Sequence, residues 1–112
     1  MSIDFYIATP THFYVTNLNM ANSNAADLLQ WIGLNASLWS GEKVRASTIA
    51  PLCRRRLWDV KRNYDEAIPG GGDDRVIYCG REAGYLRRRT AELLKVCEMA
   101  MELNPEAYIY WG

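Results

Sequence analysis

Histidine and cysteine are scarce in this sequence, and their scarcity removes several kinds of functional site. His12 is the single histidine, and the three cysteines, Cys53, Cys79 and Cys97, are far apart and form no C-x-x-C pair. An odd number of widely spaced cysteines argues against a disulfide framework, and one histidine with scattered cysteines lacks the ligand spacing of a zinc site. We therefore expect no metal, and we find no motif that would hold a cofactor.

Long apolar runs and a targeting segment are also missing. No stretch of the sequence approaches the length of about 18 apolar residues that a membrane-spanning helix requires. Residues 1–10 lack the basic region and the apolar run of a signal peptide. We therefore expect a cytoplasmic protein that does not engage a membrane.

No charge of either sign is in excess. The 13 basic and 13 acidic side chains give a formal net charge of zero, so the molecule as a whole does not attract nucleic acid or an anionic membrane. The 112 residues are 49% apolar, which is enough for one hydrophobic core and not for two. This composition predicts a single globular domain spanning residues 1–112.

The first half of the chain predicts two strands and two helices. Residues 5–8 and 13–16 are rich in aromatic and β-branched side chains, and a turn signal lies between them. Asn24 is placed to cap a helix that ends at Gly33, with Asp27 in its first turn. Residues 35–43 read as a loop that contains Trp39. Thr48 is placed to cap a second helix, whose apolar stripe comprises Ile49, Leu52, Cys53, Leu57, Val60 and Tyr64.

The second half begins with Pro69 and three glycines, which predict a mobile surface loop. A strand is expected over residues 75–79 and another over 107–111. The longest helix should start near Glu82 or Ala83 and end near Leu103. Its apolar stripe comprises Leu86, Thr90, Leu93, Leu94, Cys97, Ala100 and Met101. This order predicts an α+β fold, with a small antiparallel or mixed sheet of three to four strands and about three helices packed on it.

Catalytic chemistry has little support in the sequence. Cys79 precedes Gly80 and Arg81, and a nearby arginine could lower a thiol pKa, but a strand-end cysteine that faces the core explains the same pattern. Asp73 and Asp74 follow a flexible glycine run, so their carboxylates are not held for acid–base work. We therefore expect a protein that is not an enzyme.

Two arginine triplets are the strongest polar feature. They occupy positions 54–56 and 87–89, each within a predicted helix, and Arg88 could pair with Glu92 one turn later. The triplets fit a basic patch for phosphate or for an acidic protein partner, but an ordinary solvated helix face is the simpler reading of the same residues. The candidate binding residues from the triplets are Arg54, Arg55, Arg87 and Arg88.

Two tryptophans do not fall on the apolar stripes of their helices. Trp31 and Trp58 are therefore candidates for a contact surface, because tryptophan and arginine are enriched in binding hot spots. The alternative is that each completes a small core. Both readings remain open for both residues.

Three short segments resemble a known family. They are the N-x-x-N-x-N-A pattern at residues 19–25, the C-G-R-x-x-G-Y-L pattern at residues 79–86, and the Trp-Gly pair at residues 111–112. Together they resemble a family of small uncharacterised proteins of phages, prophages and bacterial genomes. The resemblance implies no known activity and no catalytic residues. It implies a setting in which small proteins often bind host or phage proteins.

The second of these segments carries one further candidate. Gly80 and Gly84 allow a sharp turn from strand to helix, and Arg81 with the free N–H groups of the helix start could hold an anion. The same turn could serve only to pack helix against sheet. The leading hypothesis is a non-enzymatic protein that binds another protein. The runner-up is a small-ligand or nucleic-acid binder that uses Arg81 and the arginine triplets.

Overall fold

The fold is α+β, as the order of elements predicts. The computed structural model describes residues 2–34, 43–59, 65–72, 77–78 and 80–112. Within them, one four-stranded antiparallel sheet packs against three helices, and a separate pair of two-residue strands lies outside that sheet. Trp39, Val60, Tyr64, Asp73, Asp74 and Cys79 lie outside the described residues, so the predictions made for them stay predictions.

A β-hairpin opens the chain, and both of its strands are longer than predicted. Strand β1 spans Ser2–Ala8 and strand β2 spans Phe13–Ala21. The turn between them is closed by the backbone N–H of Thr9, which donates to the carbonyl of His12 at 2.9 Å. In β1, Ile3, Phe5 and Ile7 are buried and alternate with more exposed residues, because successive side chains of a strand point to opposite faces.

Strand β2 carries an irregularity in its middle. Asp4 pairs with Asn19 and Tyr6 pairs with Val15, so residues 16–18 of β2 stand opposite the single residue Phe5 of β1. The Thr16 hydroxyl donates to the Phe5 carbonyl at 2.6 Å and stabilises this bulge. Because the bulge adds an even number of residues, Leu18 and Met20 still point into the core.

Helix α1 spans Asn22–Trp31 and follows β2 without a break. The prediction that Asn24 caps this helix is wrong: the N-cap is Ala21, and Asn24 is buried inside the helix. Asp27 likewise lies beyond the first turn, where it cannot act on the helix start. The stop at Gly33 is confirmed, since this residue has a φ of 86°, which suits glycine.

A short strand, β3, spans Lys43–Arg45 where the sequence predicted the end of a loop and then a helix cap. Helix α2 follows at Ala46–Trp58, so the predicted cap at Thr48 is also wrong. Pro51 consequently lies inside the helix. It cannot donate a helical hydrogen bond to residue 47, but residue 47 is exposed and its carbonyl can bond to water.

The glycine run is not wholly a loop. Strand β4 spans Gly71–Gly72 and pairs antiparallel with strand β5, Ile77–Tyr78. Only these two residues of the predicted strand 75–79 are described as strand, and they belong to this small sheet and not to the main one. Glycine loses much conformational entropy in a strand, which is why the sequence favoured a loop here.

Helix α3 spans Tyr85–Leu103 and begins after Gly84, whose φ is 79°. The predicted end at Leu103 is confirmed, and the start lies two or three residues later than predicted. The apolar stripe is largely confirmed, since five of its seven members are buried and the other two pack against the core from its margin. The buried members are Leu86, Thr90, Leu93, Cys97 and Ala100.

Strand β6 spans Tyr108–Trp111 and completes the main sheet in the order β2-β1-β6-β3. The backbone N–H of Ala46, at the start of α2, donates to the carbonyl of Ala107 at 3.0 Å and ties that helix to the sheet. One hydrophobic core lies between the sheet and the helices. Its largest fully buried apolar side chains include Phe5, Leu28, Ile49, Leu93, Ile109 and Trp111.

Candidate protein-binding surface

The structure places Arg81 inside the molecule. Its side chain is only 10% exposed, and its guanidinium donates to Asp27 at 2.6 Å and to Asn24 at 3.3 Å. The two segments of the family resemblance, residues 19–25 and 79–86, therefore contact each other through this side chain. A buried arginine needs such a partner because leaving its charge unpaired would cost several kcal/mol.

The N-terminus of α3 is occupied as well. The Asp65 carboxylate accepts hydrogen bonds from the backbone N–H groups of Leu86, at 2.8 Å, and of Arg87, at 3.3 Å. A carboxylate at this position also interacts favourably with the positive end of the helix. The anion that the sequence allowed near Arg81 and the helix start is thus supplied by the chain itself, through Asp27 and Asp65.

Gly80 belongs to the same packing arrangement. Residues 68 and 81 form an antiparallel bridge, with the N–H of Ile68 donating to the Arg81 carbonyl at 2.8 Å. A Cβ atom added at Gly80 would lie 2.6 Å from the carbonyl oxygen of Ile68. Glycine is therefore required at this position by the close approach of two backbones.

Trp31 packs against the core and is covered from outside by Arg56. The Arg56 guanidinium lies 5.2 Å from the centre of the Trp31 ring, and its Nε atom donates to the Trp31 carbonyl. That carbonyl belongs to the last turn of α1, where helix carbonyls have no helical partner. Trp31 thus serves the fold, and Arg56 joins α2 to the end of α1.

Trp58 has the opposite environment. Its side chain is 90% exposed at the end of α2, the highest exposure among the large hydrophobic residues of the described chain. Its neighbour Leu57 lines a cleft of about 280 Å³ together with Gly84, Arg87 and Arg88. The end of α2 therefore lies beside the start of α3, which carries Arg87 and Arg88.

The remaining triplet residues lie on the same two helices. Arg54 and Arg55 are exposed on α2, as Arg87 and Arg88 are on α3. Arg54 lies near Cys97, further along α3 than Arg87. Arg55 lines a separate pocket with Ile32 and Gly33 at the end of α1. We name the group the arginine–tryptophan surface, which comprises Arg54, Arg55, Trp58, Arg87 and Arg88.

The third arginine of the second triplet makes the contact that the sequence assigned to Arg88. Arg89, not Arg88, forms the ion pair with Glu92, at 2.7 Å. Arg88 instead lies 5.5 Å from the centre of the Tyr85 ring. The prediction of an Arg88–Glu92 pair is therefore wrong, and Arg88 forms no ion pair within the described part of the chain.

The two cysteines that the structure describes are chemically unreactive because both are buried. Cys53 and Cys97 are free and buried. Burial raises the pKa of Cys53 from 9.0 to about 12 and raises the pKa of Cys97 as well. Neither side chain can provide a thiolate near neutral pH. In the described part of the chain, no group of three or more His, Cys, Asp or Glu side chains is arranged to hold a metal ion.

Sequence reasoning missed two surface features on the sheet. On its outer face, the Phe13 ring lies 5.0 Å from that of Tyr6 and 5.5 Å from that of Tyr110. At its β2 edge, a groove lies between β2 and α3. The alternation of β1 and a second apolar row on α3 at positions 96, 99 and 103 were the signals that could have found them.

Comparisons with other proteins add no assignment to this geometry. No helix among the described residues has the length and apolarity needed to cross a bilayer. A scan against protein-family models, a search of curated proteins and a search of solved structures each gave no match to this chain.

Proposed function

We propose that this chain is a non-enzymatic accessory protein of phage or prophage type, which acts in the cytoplasm by binding another protein. The partner contributes an acidic surface with an apolar recess, and the arginine–tryptophan surface binds it. The observation that carries the proposal is the 90% exposure of Trp58 at the end of α2, the helix that also carries the exposed Arg54 and Arg55. The phage setting is supported by the sequence resemblance of residues 19–25, 79–86 and 111–112.

The charge of the surface favours an acidic partner. Within the described residues, no salt bridge involves Arg54, Arg55, Arg87 or Arg88, whereas Arg45, Arg81 and Arg89 each pair with a carboxylate. Arginine forms paired hydrogen bonds with carboxylates, and such bonds are stronger than those between neutral groups. A partner with exposed Asp and Glu side chains therefore gains contacts here.

Trp58 supplies the apolar part of the contact. Burial of an exposed tryptophan ring by a partner lowers the free energy of the complex. Residues of this type dominate measured binding energies. The leucine-lined cleft beside it, formed by Leu57 with Arg87 and Arg88, offers space for one side chain of the partner. Together these features favour a protein over a uniformly charged polymer.

Nucleic acid is the alternative partner for the same arginines. Phosphate contacts would make binding fall steeply as salt rises. The runner-up hypothesis also relied on Arg81, whose guanidinium is paired with Asp27. The zero net charge of the chain provides little general attraction for a polyanion.

The test is affinity capture from a bacterial lysate with four variants. Arg55→Glu, Arg88→Glu and Trp58→Ser should each reduce recovery of the captured protein at least tenfold, because each removes a contact at the centre of the surface. Lys43→Glu, a charge reversal on β3, is the matched control and should leave recovery unchanged. All four should melt within a few degrees of the wild type.

Nucleic-acid binding is measured in parallel at about 0.15 M salt, where charges more than about 8 Å apart are largely screened. We expect no tight binding of single- or double-stranded oligonucleotides by the wild type. Tight binding that the arginine reversals abolish would replace the protein-partner proposal with the nucleic-acid one. Unchanged capture by all three surface variants would show that the arginines are a solvated helix face.

A further inference from the structure

The outer face of the main sheet carries two regular rows of side chains. In the first row, Tyr6 of β1 lies opposite Val15 of β2 on one side and Tyr110 of β6 on the other. Tyr110 in turn lies opposite Lys43 of β3. The row is therefore apolar or aromatic across three strands and ends in a cation on the fourth.

The second row has the same order. Ala8 of β1 lies opposite Phe13 of β2 and Tyr108 of β6, and Tyr108 lies opposite Arg45 of β3. Residues two apart along a strand point to the same face, so the two rows lie side by side. Rings thus occupy the part of the face formed by β2, β1 and β6, and both cations lie on β3.

The described helices leave this face open. They pack on the opposite face, where Phe5, Ile7 and Ile109 alternate with the row residues and are buried in the hydrophobic core. On the outer face, Phe13 is 56% exposed and Val15 is 79% exposed. A large aromatic and apolar surface on the outside of a domain marks a binding site.

Three of the rings form a continuous platform. The Phe13 ring reaches across Ala8, stacks on the Tyr6 ring at 5.0 Å and meets the Tyr110 ring edge-on at 5.5 Å. The Tyr6 and Tyr110 rings are 6.0 Å apart. Because neighbouring strands are about 4.8 Å apart, the platform is about 10 Å wide. An aromatic platform of this kind on a four-stranded sheet stacks two or three unpaired bases.

The two cations are held beside the platform by the fourth ring. The Lys43 Nζ atom lies 4.9 Å from the centre of the Tyr108 ring, and the Arg45 guanidinium lies 5.3 Å from it. Lys43 forms no salt bridge within the described residues, and Arg45 pairs with the exposed Glu106. Arginine has five N–H donors, so one carboxylate leaves several of them for a second anion. Asp4, at the other end of the face, accepts a hydrogen bond from the Asn19 amide at 2.6 Å.

This combination discriminates between classes of anionic ligand. An unpaired base has a flat π-face that stacks on a ring whatever the sequence, and the phosphates of the same strand are attracted to cations beside it. A duplex keeps its bases stacked on one another, so it can use the cations but not the rings. An acidic peptide likewise uses the cations and offers the platform no flat partner.

From these observations we infer that the outer face binds a single-stranded nucleic acid, whose bases stack on Tyr6, Phe13 and Tyr110 while its phosphates contact Lys43 and Arg45. Two phosphate contacts on a chain of zero net charge give weak binding, with a dissociation constant of about 10–100 μM at 0.15 M salt. The inference does not depend on the proposed function, which excludes only tight binding of nucleic acid and uses a different surface.

Fluorescence anisotropy of labelled ten-nucleotide oligo-dT and oligo-rU tests the inference, with the two probes distinguishing DNA from RNA. The affinity should fall with salt on a log–log slope of about −1.4, which is about −0.7 for each of two phosphates. Lys43→Gln should reduce the slope to about −0.7. Glu106→Gln should lower the dissociation constant about two- to fivefold, because it releases Arg45 from its ion pair.

Variants of the rings test the stacking. Phe13→Leu and Tyr110→Leu keep apolar bulk but remove the π-face, and each should raise the dissociation constant at least about fivefold. Tyr14→Leu is the matched control: Tyr14 pairs with Ile7 and therefore points to the other side of the sheet, so binding should be unchanged. Circular dichroism should show the wild-type fold for all three variants, and Phe13 is exposed enough that its replacement leaves the core intact.

Arg55→Glu and Trp58→Ser should bind the oligonucleotides like the wild type, which separates this inference from the proposed function. Failure of the wild type to bind either probe at about 500 μM protein in 0.15 M salt would overturn the inference. Binding that survives both Phe13→Leu and Tyr110→Leu, or that is equally strong for a ten-base-pair duplex, would also overturn it, since the rings would then take no part.

Discussion

The carboxylate of Asp65 accepts a hydrogen bond from the backbone N–H of Leu86 at 2.8 Å and so caps the longest helix from a distant part of the chain. Asp65→Ala leaves N–H groups of the first turn of α3 without this acceptor. We expect a loss of about 1–2 kcal/mol in the free energy of unfolding, measured by urea denaturation. Asp65→Asn retains one acceptor oxygen and should lose less. Equal stability of wild type and Asp65→Ala would contradict this role.

Leu93 and Arg88 lie on opposite sides of α3 and should respond differently to truncation. Leu93 has no exposed surface, so Leu93→Ala removes buried methyl groups and leaves a cavity. It should cost about 2–5 kcal/mol of unfolding free energy. Arg88 is exposed, and Arg88→Ala should cost about 0–1 kcal/mol. Similar costs for the two variants in urea would refute the orientation of the helix.

The buried thiols should make the protein less stable at high pH. Burial raises the pKa of Cys53 from 9.0 to about 12, so the folded state keeps the proton that the unfolded state loses above pH 9.0. The contribution of this thiol to the free energy of unfolding is complete below pH 9.0. It falls as pH rises toward 12, by about 1.4 kcal/mol per pH unit.

Urea unfolding between pH 8 and pH 10.5 measures this effect. Cys53→Ala should be less stable overall because of its cavity, but its stability should fall less steeply with pH than that of the wild type. Identical slopes would show that Cys53 is not shielded from solvent. Thiol labelling gives a second measure, since Cys53 and Cys97 should react slowly in the native protein and quickly after denaturation.

The close approach of backbones at Gly80 predicts a steric effect distinct from loss of flexibility. Gly80→Ala forces the segment around Ile68 to move, because the added Cβ would overlap its carbonyl oxygen. A cost of about 1–3 kcal/mol is expected from such overpacking. Gly84→Ala is the matched comparison: its φ of 79° is unfavourable for alanine, but no atom lies within 4 Å of an added Cβ.

Thermal unfolding of both variants separates the two causes. Gly84→Ala should lose about 1 kcal/mol through backbone strain alone, and Gly80→Ala should lose more. If the order were reversed, the contact between residues 68 and 80 would not be as close as the structure shows.

Elements that depend on local periodicity were the ones that the sequence predicted. The stripe from Leu86 to Ala100 repeats at helical spacing, and the alternation around Phe5 suits a half-buried strand. Strand β3 has only three residues and exists because Val44 pairs with Ile109, far along the chain. No local pattern carries that information.

The predicted positions of the helix starts were wrong for a related reason. Local rules favour Asn24 as a cap, but β2 leads directly into α1, and the Asn24 side chain instead receives a hydrogen bond from Arg81. The acceptor for the first turn of α3 is Asp65, which lies 21 residues before Leu86 in the chain. In both cases a contact between distant segments outweighs a local preference of about 1 kcal/mol.

The sequence identifies the candidate residues of the binding surface but not which of them are exposed. The sequence identifies Trp31 and Trp58 equally as off-stripe aromatics. The structure separates them, because Arg56 reaches from α2 to cover Trp31 while Trp58 has no such cover within the described residues. Which tryptophan is available to a partner thus depends on how α1 and α2 pack, and helix packing is a property of the whole fold.

Strand β6 lies between β1 and β3, yet it follows every other described element in the chain. During synthesis, the hairpin, the helices and β3 therefore leave the ribosome before β6, the strand that joins β3 to the rest of the sheet. Until residues 108–111 emerge, the edge of β1 and the edge of β3 that pair with β6 in the finished sheet are both without a partner. Pairing Phe5 with Trp111 then spans nearly the whole described chain, and such distant contacts slow folding. The nascent chain consequently reaches its native state only after β6 is released, and the open edge of β1 is the surface that a chaperone would protect until then.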